Sequence, residues 1–526
     1  MIPRAQHLSL LIVPAALLTA CGGGSSSDTA SATETARAET VLASSVVSSG
    51  AGTAIAATNA SAVAPVPLVP VPNDEGASLT FSSVGAIDTT NPFFQAFGNG
   101  RACASCHQPN TGWSITPDGL TARFNSSAGL DPVFQLVDGA VSPLAPVATL
   151  DQKRVAYSML LTKGLIRVGL PIPSGAEFTL IKTDDPYNYA SATELSLFRR
   201  PLPTTNLAFL SSVMWDGRET QSDPNSGICL KNVLPAQCFA SIDTDLLHQS
   251  NSAVRGHAQA AQDLTAAQQR AIVDFEKTLY TAQVSSVDAG SLTDAGALGG
   301  PLPLSKTNFY FGINDLEAGD YKTGAPFNRN AMALFGAWIN LDRPAPPPPP
   351  PARGRPAPPP PPAPSAQNLA RASIARGEQI FNTKPFNITG VAGFNDELRL
   401  PLQRGTCSSC HDTPNSGTHS VTRMFNTGVA AGALRTADMP LYTLRNNATG
   451  EVIETTDPGA AMISGKWKDI GRVKVPSLRG IESRSPYFHN GSVDQIEDVV
   501  KFYDTRFKIG FSAQEAADLA AFLKAL

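Results

Sequence analysis

Two short stretches hold residues whose types and spacing do recognisable chemistry. "GRACASCHQPNTG" spans Gly100 to Gly112, and "RGTCSSCHDTPNSG" spans Arg404 to Gly417. Each contains Cys-x-x-Cys-His, and each runs on to Pro-Asn, a hydroxyl residue and Gly. Cys-x-x-Cys alone serves zinc binding or disulfide exchange. With a histidine directly after the second cysteine, the two thiols can form thioethers to the vinyl groups of one haem. The imidazole then takes the iron from one side. On this reading Cys103, Cys106 and His107 hold one c-type haem, and Cys407, Cys410 and His411 hold a second. A zinc knuckle or a chance match competes for either motif alone. Recurrence with matched flanks favours two haems.

What two such irons do depends on their sixth ligands. Beyond the two motifs and the first residues, the histidines are His248, His257, His419 and His489, and the last methionine is Met462. Near the end, "VDQIEDVVKFY" places Val493, Ile496, Val500 and Tyr503 on one face of a helix. A tyrosine on an apolar face needs a partner for its oxygen. Iron is one candidate and an ordinary hydrogen bond is the other.

The elements that position these residues read as follows. The 526 residues suffice for two or three domains, and a net charge of -4 gives no footprint for nucleic acid. Residues 1–21 read as a signal peptide, with Arg4 and His7 before the apolar "LSLLIVPAALLTA". Leu18-Thr19-Ala20-Cys21 resembles a lipobox, in which Cys21 is lipidated. Acyl chains give stable anchoring when two or more are present. Gly22 rather than Asp after the cysteine favours, by resemblance to such signals, the outer membrane. The expected location is therefore the periplasm, tethered to a membrane. Export also implies an oxidising compartment, so the leftover pair Cys229 and Cys238 reads as a disulfide, with two buried thiols as the alternative.

Residues 22–75 are rich in Ala, Ser, Thr, Val and Pro and read as a disordered tether. An N-terminal haem domain is expected over 76–343, a proline-rich insert over 344–366, and a C-terminal haem domain over 367–526. The insert cannot be helix interior or central strand, because proline lacks the backbone donor. Helical patterns dominate both domains. Examples are 264–283, with Ile272, Phe275 and Leu279 in register, 328–342, and 512–526, where Ser512 and Glu515 make a capping box. The expected fold is mostly α: two cytochrome c-like haem domains with long loops and few strands.

Three segments give a family resemblance. "NPFFQAFGNGRACASCHQPNTGWSI", "MWDGRE" and "VKVPSLRGIESRSPYFHNGSVDQIEDVVKFY" resemble the bacterial di-haem cytochrome c peroxidase/MauG superfamily. The resemblance spans most of 80–526, apart from the proline-rich insert and the Cys229–Cys238 loop. In peroxidases of that family, Met ligates the second haem fourteen residues after the histidine of the "PYFH" segment. Here that position is Tyr503, as in MauG-type members. A phenolate ligand favours higher oxidation states of iron, whereas Met favours the reduced state.

The resemblance makes the N-terminal haem the peroxide-reactive one and puts Trp215 between the two haems. Asp216 and Arg218 are expected to pair. Gln249 falls at the family's distal glutamine, and the distal glutamate position falls at or near Gln259. Glutamine moves no proton as acid or base, so His257 is the expected distal acid/base, with Glu276 as the next candidate. His489 is expected to line the interface, and His248 and His419 to be non-ligands.

The resemblance further implies a calcium ion held partly by backbone carbonyls at Arg484 and Pro486, although the family's calcium asparagine is Arg200 here. The expected activity is peroxide reduction with oxidising equivalents shared between the two haems. The expected partners are hydrogen peroxide, a small redox protein or protein substrate, and a membrane through the lipid anchor. Two alternatives remain open: a di-haem oxygenase resembling the rubber oxygenases, and a non-enzymatic electron-transfer cytochrome.

Overall fold

The structure is a computed structural model that describes residues 68–225, 228–230, 237–344, 346, 359 and 361–526. Cys21, the expected signal peptide, most of the tether and most of the proline-rich insert lie outside the described residues. No helix among the described residues is long and apolar enough to cross a membrane.

Ten α-helices and thirteen short strands occur among the described residues. Strand is therefore more frequent than the expectation of a mostly α fold with few strands. Five small sheets account for it. Strands β1 (Val71–Asn73), β2 (Gly76–Ser82), β8 (Leu279–Ser286) and β9 (Gly290–Ser291) form a four-stranded sheet in that order. Strands β3 (Ile166–Leu170) and β5 (Leu195–Arg199) pair, as do β6 (Cys229–Leu230) with β7 (Gln237–Cys238) and β10 (Phe386–Thr389) with β11 (Leu402–Gly405). Strand β4 (Phe178–Asp184) joins β12 (Leu441–Asn446) and β13 (Val452–Thr455), so residues far apart in sequence share one sheet. Cys229 and Cys238 sit opposite each other across β6–β7 and form a disulfide.

Several boundaries differ from the sequence reading for local reasons. Regular structure begins at Val71, inside the expected tether, because β1 pairs with β2. The helix expected over 264–283 ends at Lys277. Beyond it, "LYTAQVSS" is strand β8, in which Leu279, Thr281, Ala282 and Gln283 are buried and the backbone pairs with β2. Aromatic and β-branched residues suit that half-buried surface. Over 328–342 only the turn Gly336–Trp338 is helical. There the Glu378 carboxylate accepts the backbone N–H groups of Leu334 and Phe335, which supplants helical hydrogen bonds. Val493 lies before the helix Ile496–Phe507 and bridges to Tyr487.

The largest hydrophobic cluster packs the helices Ala366–Thr383, Ile496–Phe507 and Ala513–Lys524 against the segment 289–341, through Phe335, Trp338, Ile374, Phe381, Val500 and Phe522. That segment precedes the proline-rich insert in sequence, yet its apolar side chains sit in the core of the last helices. Gly377 lets two of these helices touch: a Cβ there would lie 2.0 Å from the Asp518 carbonyl oxygen. The final helix starts as its capping box requires, with Ser512 Oγ accepting from Glu515 N at 3.2 Å and Glu515 Oε2 accepting from Ser512 N at 2.9 Å.

Candidate functional site

The two Cys-x-x-Cys-His motifs fold into the same turn. Cys103–Ser105 and Cys407–Ser409 are each one short 3₁₀ turn. In the first, Ser105 Oγ accepts from Ala102 N at 3.0 Å; in the second, Ser409 Oγ accepts from Thr406 N at 3.0 Å. His107 N donates to Cys103 O at 3.0 Å, and His411 N donates to Cys407 O at 3.1 Å.

The rings are anchored alike. His107 Nδ1 lies 3.1 Å from Trp113 O, and His411 Nδ1 lies 2.6 Å from Gly417 O. A carbonyl only accepts, so Nδ1 carries the hydrogen and Nε2 keeps a bare lone pair. Burial pushes both imidazoles down to about 4, so they are neutral. A carbonyl-anchored neutral imidazole is what an axial metal ligand requires. All four motif cysteines are free of disulfides.

Around His411 a large, mainly apolar cavity opens. Cys407, Cys410, His411, Tyr503 and Trp215 all line it. Phe381 stands 6.0 Å from the His411 ring, and Phe507 runs parallel to Tyr503 at 6.2 Å. Burial pushes the Tyr503 phenol up, and a hydrogen bond with the Thr427 side chain opposes that shift. Two polar atoms on the lining residues have no hydrogen-bond partner, Arg484 Nη1 and His489 Nε2, the latter 3.8 Å from Asp457 Oδ2, and both residues are buried. A mainly apolar chamber with a neutral imidazole, paired thiols and a guanidinium N–H without a hydrogen-bond partner at its wall fits a c-type haem, whose carboxylates that guanidinium would suit.

Trp215 is held firmly. Its Nε1 donates to Arg200 O at 2.7 Å, and its ring meets His489 edge-on at 6.1 Å. Next to it, Asp216 pairs with Arg218 at 3.0 Å. Asp216 also pairs with Arg199 at 2.5 Å, and Arg199 reaches Asp457 at 2.6 Å. Sequence reasoning missed Arg199 and Asp457. Lys474, also unforeseen, lines the cavity and donates from Nζ to Ser212 O at 2.8 Å, and burial pushes its pKa down to about 7. The concentration of cationic residues in "RVKVPSLRGIESR" was the signal that could have found it.

At the first motif, His257 Nδ1 sits 2.5 Å from Asp138 Oδ2, and Arg101, two residues before Cys103, binds the same carboxylate at 2.5 Å. Burial opposes ionisation of Asp138, but its hydrogen bond to His257 and the nearby charges of His257 and Arg101 hold the carboxyl below the usual range. Glu276 is buried beside Cys103, its Oε2 has no partner, and burial pushes its pKa up to about 8. Gln259 has a left-handed φ of 51° and accepts from Asn99 Nδ2 at 3.1 Å. It lines a second cavity with Gln135, Tyr157, Arg167 and Glu194. Gln249 is half-buried on the helix Ile242–Gly256 and lines neither cavity.

Two other ionic groups bear on metals. Asp315, Asp412 and His419 bring ligand-type atoms within 4.8 Å of one another, but Asp315 is bonded to Arg423 and His419 Nδ1 to Asp412. The carbonyls of Arg484 and Ser485 face the guanidinium of Arg200. The residues there do not fit the calcium ion that the resemblance implies, because a fixed positive charge already fills the position.

Parts of the chain are similar to known proteins. The chain is 32% identical over 144 residues to cytochrome-c peroxidase IdrP2 of Denitromonas iodatirespirans, a stretch covering 25% of this chain and 38% of that protein. It is 31% identical over 140 residues to IdrP1 of the same organism, covering 23% and 36%. These stretches agree with the resemblance to the cytochrome c peroxidase/MauG superfamily that the motifs carry. The chain spans less than two-fifths of the length of these relatives. No protein-family profile matches it. Among solved structures, a MauG-like protein associated with microbial copper homeostasis aligns over 77% of this chain and 89% of its own, with 14% identity and a TM-score of 0.27.

Proposed function

We propose that the chain is a di-haem c-type oxidoreductase that reduces hydrogen peroxide. Cys103, Cys106 and His107 would hold the reactive haem, and Cys407, Cys410, His411 and Tyr503 the one that shares its oxidising equivalents. The observation that carries this reading is the duplicated turn, with each imidazole neutral and its Nδ1 tied to a backbone carbonyl. When bound, the haems supply the iron chemistry that splits peroxide and stores the oxidising equivalents.

The residues of the chain do the rest. Asp138 holds the Nδ1 side of His257, which leaves its Nε2 to accept a proton from peroxide and return it to the leaving oxygen. Glu276, kept neutral up to about pH 8 by burial, is a second proton source. Tyr503 offers its oxygen from within the His411 cavity, and apolar neighbours exclude water around it. Trp215, fixed through Nε1, serves as the bridge for electrons. Arg484 would take a haem carboxylate. The electron source is a small redox protein or a protein substrate, and Cys21 tethers the molecule to a membrane facing the periplasm.

The test is twofold. Mass spectrometry of the denatured protein should show two added haem groups. The diferric spectrum should hold one high-spin and one low-spin haem, with only the first changing directly on peroxide addition. A stable dioxygen complex of the isolated protein would instead favour an oxygenase. No reaction with peroxide would leave an electron-transfer cytochrome.

A further inference from the structure

Arg200 is buried, with 4% of its surface exposed, and no carboxylate among the described residues pairs with it. Its charge is answered by main-chain oxygens instead. Nη1 donates to Lys163 O and Gly164 O, each at 3.1 Å. Nη2 donates to Ile115 O at 2.7 Å, Arg484 O at 3.2 Å and Ser485 O at 3.3 Å. Five carbonyls from three separate stretches of chain therefore converge on one cation. Oxygen-only cages of this kind suit hard metal ions.

The cage is shaped for the guanidinium. Gly164 has a left-handed φ of +58°, and a Cβ there would stand 1.9 Å from Arg200 Nη1. The backbone of the same residue reaches the candidate electron bridge. Arg200 N donates to His489 O at 2.7 Å, and Arg200 O accepts from Trp215 Nε1 at 2.7 Å.

We propose that the Arg200 guanidinium is a built-in structural cation, taking the place of a bound calcium ion in this cage and making the positioning of Trp215 and His489 independent of calcium. A guanidinium has five N–H donors and keeps its charge, so it can answer many carbonyls at once. A covalently attached cation is neither lost by dilution nor removed by a chelator.

The experiment compares the purified full chain with three variants, with and without a calcium chelator, by thermal melting and by haem absorption. The melting arm stands apart from the peroxidase reading, and the haem count reports on that reading separately. The wild type should melt at the same temperature and keep the same spectrum in chelator and in added calcium chloride. Arg200→Asn should melt about 5–10 °C lower and regain part of that loss in calcium chloride. Arg200→Lys, which keeps the charge, should fall less than Arg200→Gln, which removes it.

A wild type that loses stability in chelator and recovers in calcium overturns the proposal. So does an Arg200→Asn variant indifferent to calcium, or an Arg200→Gln variant as stable as Arg200→Lys. If Arg200→Asn does not fold in either condition, the Lys and Gln pair decides alone.

Discussion

Tyr503 and Glu276 are the side chains whose replacement reads out most directly. Tyr503 shares a cavity with His411, and burial disfavours its anion while a hydrogen bond with Thr427 favours it. If Tyr503 ligates a haem held by His411, as proposed, Tyr503→Met should replace its oxygen with a thioether and raise that haem's reduction potential, because Met favours the reduced state. Tyr503→Phe should open the position. Electron paramagnetic resonance of the diferric protein checks both; an unchanged low-spin signal would make Tyr503 an ordinary core residue.

Glu276 makes a prediction about pH. Its folded pKa of about 8 lies above that of a free glutamate, about 4.3. Between those values the folded chain keeps a proton that the unfolded chain has released, so this group's contribution to stability falls as pH rises through the window. Glu276→Gln should remove that fall, by up to about 5 kcal/mol. Relative to its offset at pH 4, the variant should gain on the wild type by pH 9. Denaturant unfolding at the two pH values measures it.

At the scale of elements, local signals were legible and non-local ones were not. The capping box at Ser512 and the helical face of Val500 and Tyr503 are spelled in neighbouring residues, and both helices form. The Cys-x-x-Cys-His turns are equally local, since each is closed by its own serine and its own carbonyls. Strand β8 was hidden because its apolar residues continue the helical register of the preceding stretch; only the partner β2 decides the matter. The Arg200 cage was hidden for a deeper reason. Its ligands are main-chain carbonyls, which every residue possesses, so no residue type marks them. Close packing of helices is likewise readable only in three dimensions. Gly377→Ala should force the helices Ala366–Thr383 and Ala513–Lys524 apart and cost about 2 kcal/mol of stability. Thermal melting would show it, with the haem spectrum of the folded protein retained.

For the whole molecule, anchoring and folding should be separable. Cys21 precedes the described residues, while both Cys-x-x-Cys-His motifs lie within the compact unit Ala62–Leu526. Cys21→Ser should release the protein from the membrane fraction and leave its absorption spectrum unchanged. Retention on membranes would show that lipidation is not the anchor.

The sheet that joins β4 to β12 has a consequence for cleavage. Six residue pairs link Phe178–Asp184 to Leu441–Asn446, and Arg199 is bonded to Asp457 across the same boundary. Apolar residues of 289–341 also sit in the core of the last helices. A protease cut introduced between residues 345 and 360 would sever the covalent link but none of these contacts. The two fragments should then travel as one particle in gel filtration and part only in denaturant. Either fragment made alone should expose a broken sheet edge and half a core, and should aggregate. Covalent continuity through the proline-rich stretch is thus a means of delivering both halves in equal number, while the folded interior keeps them together.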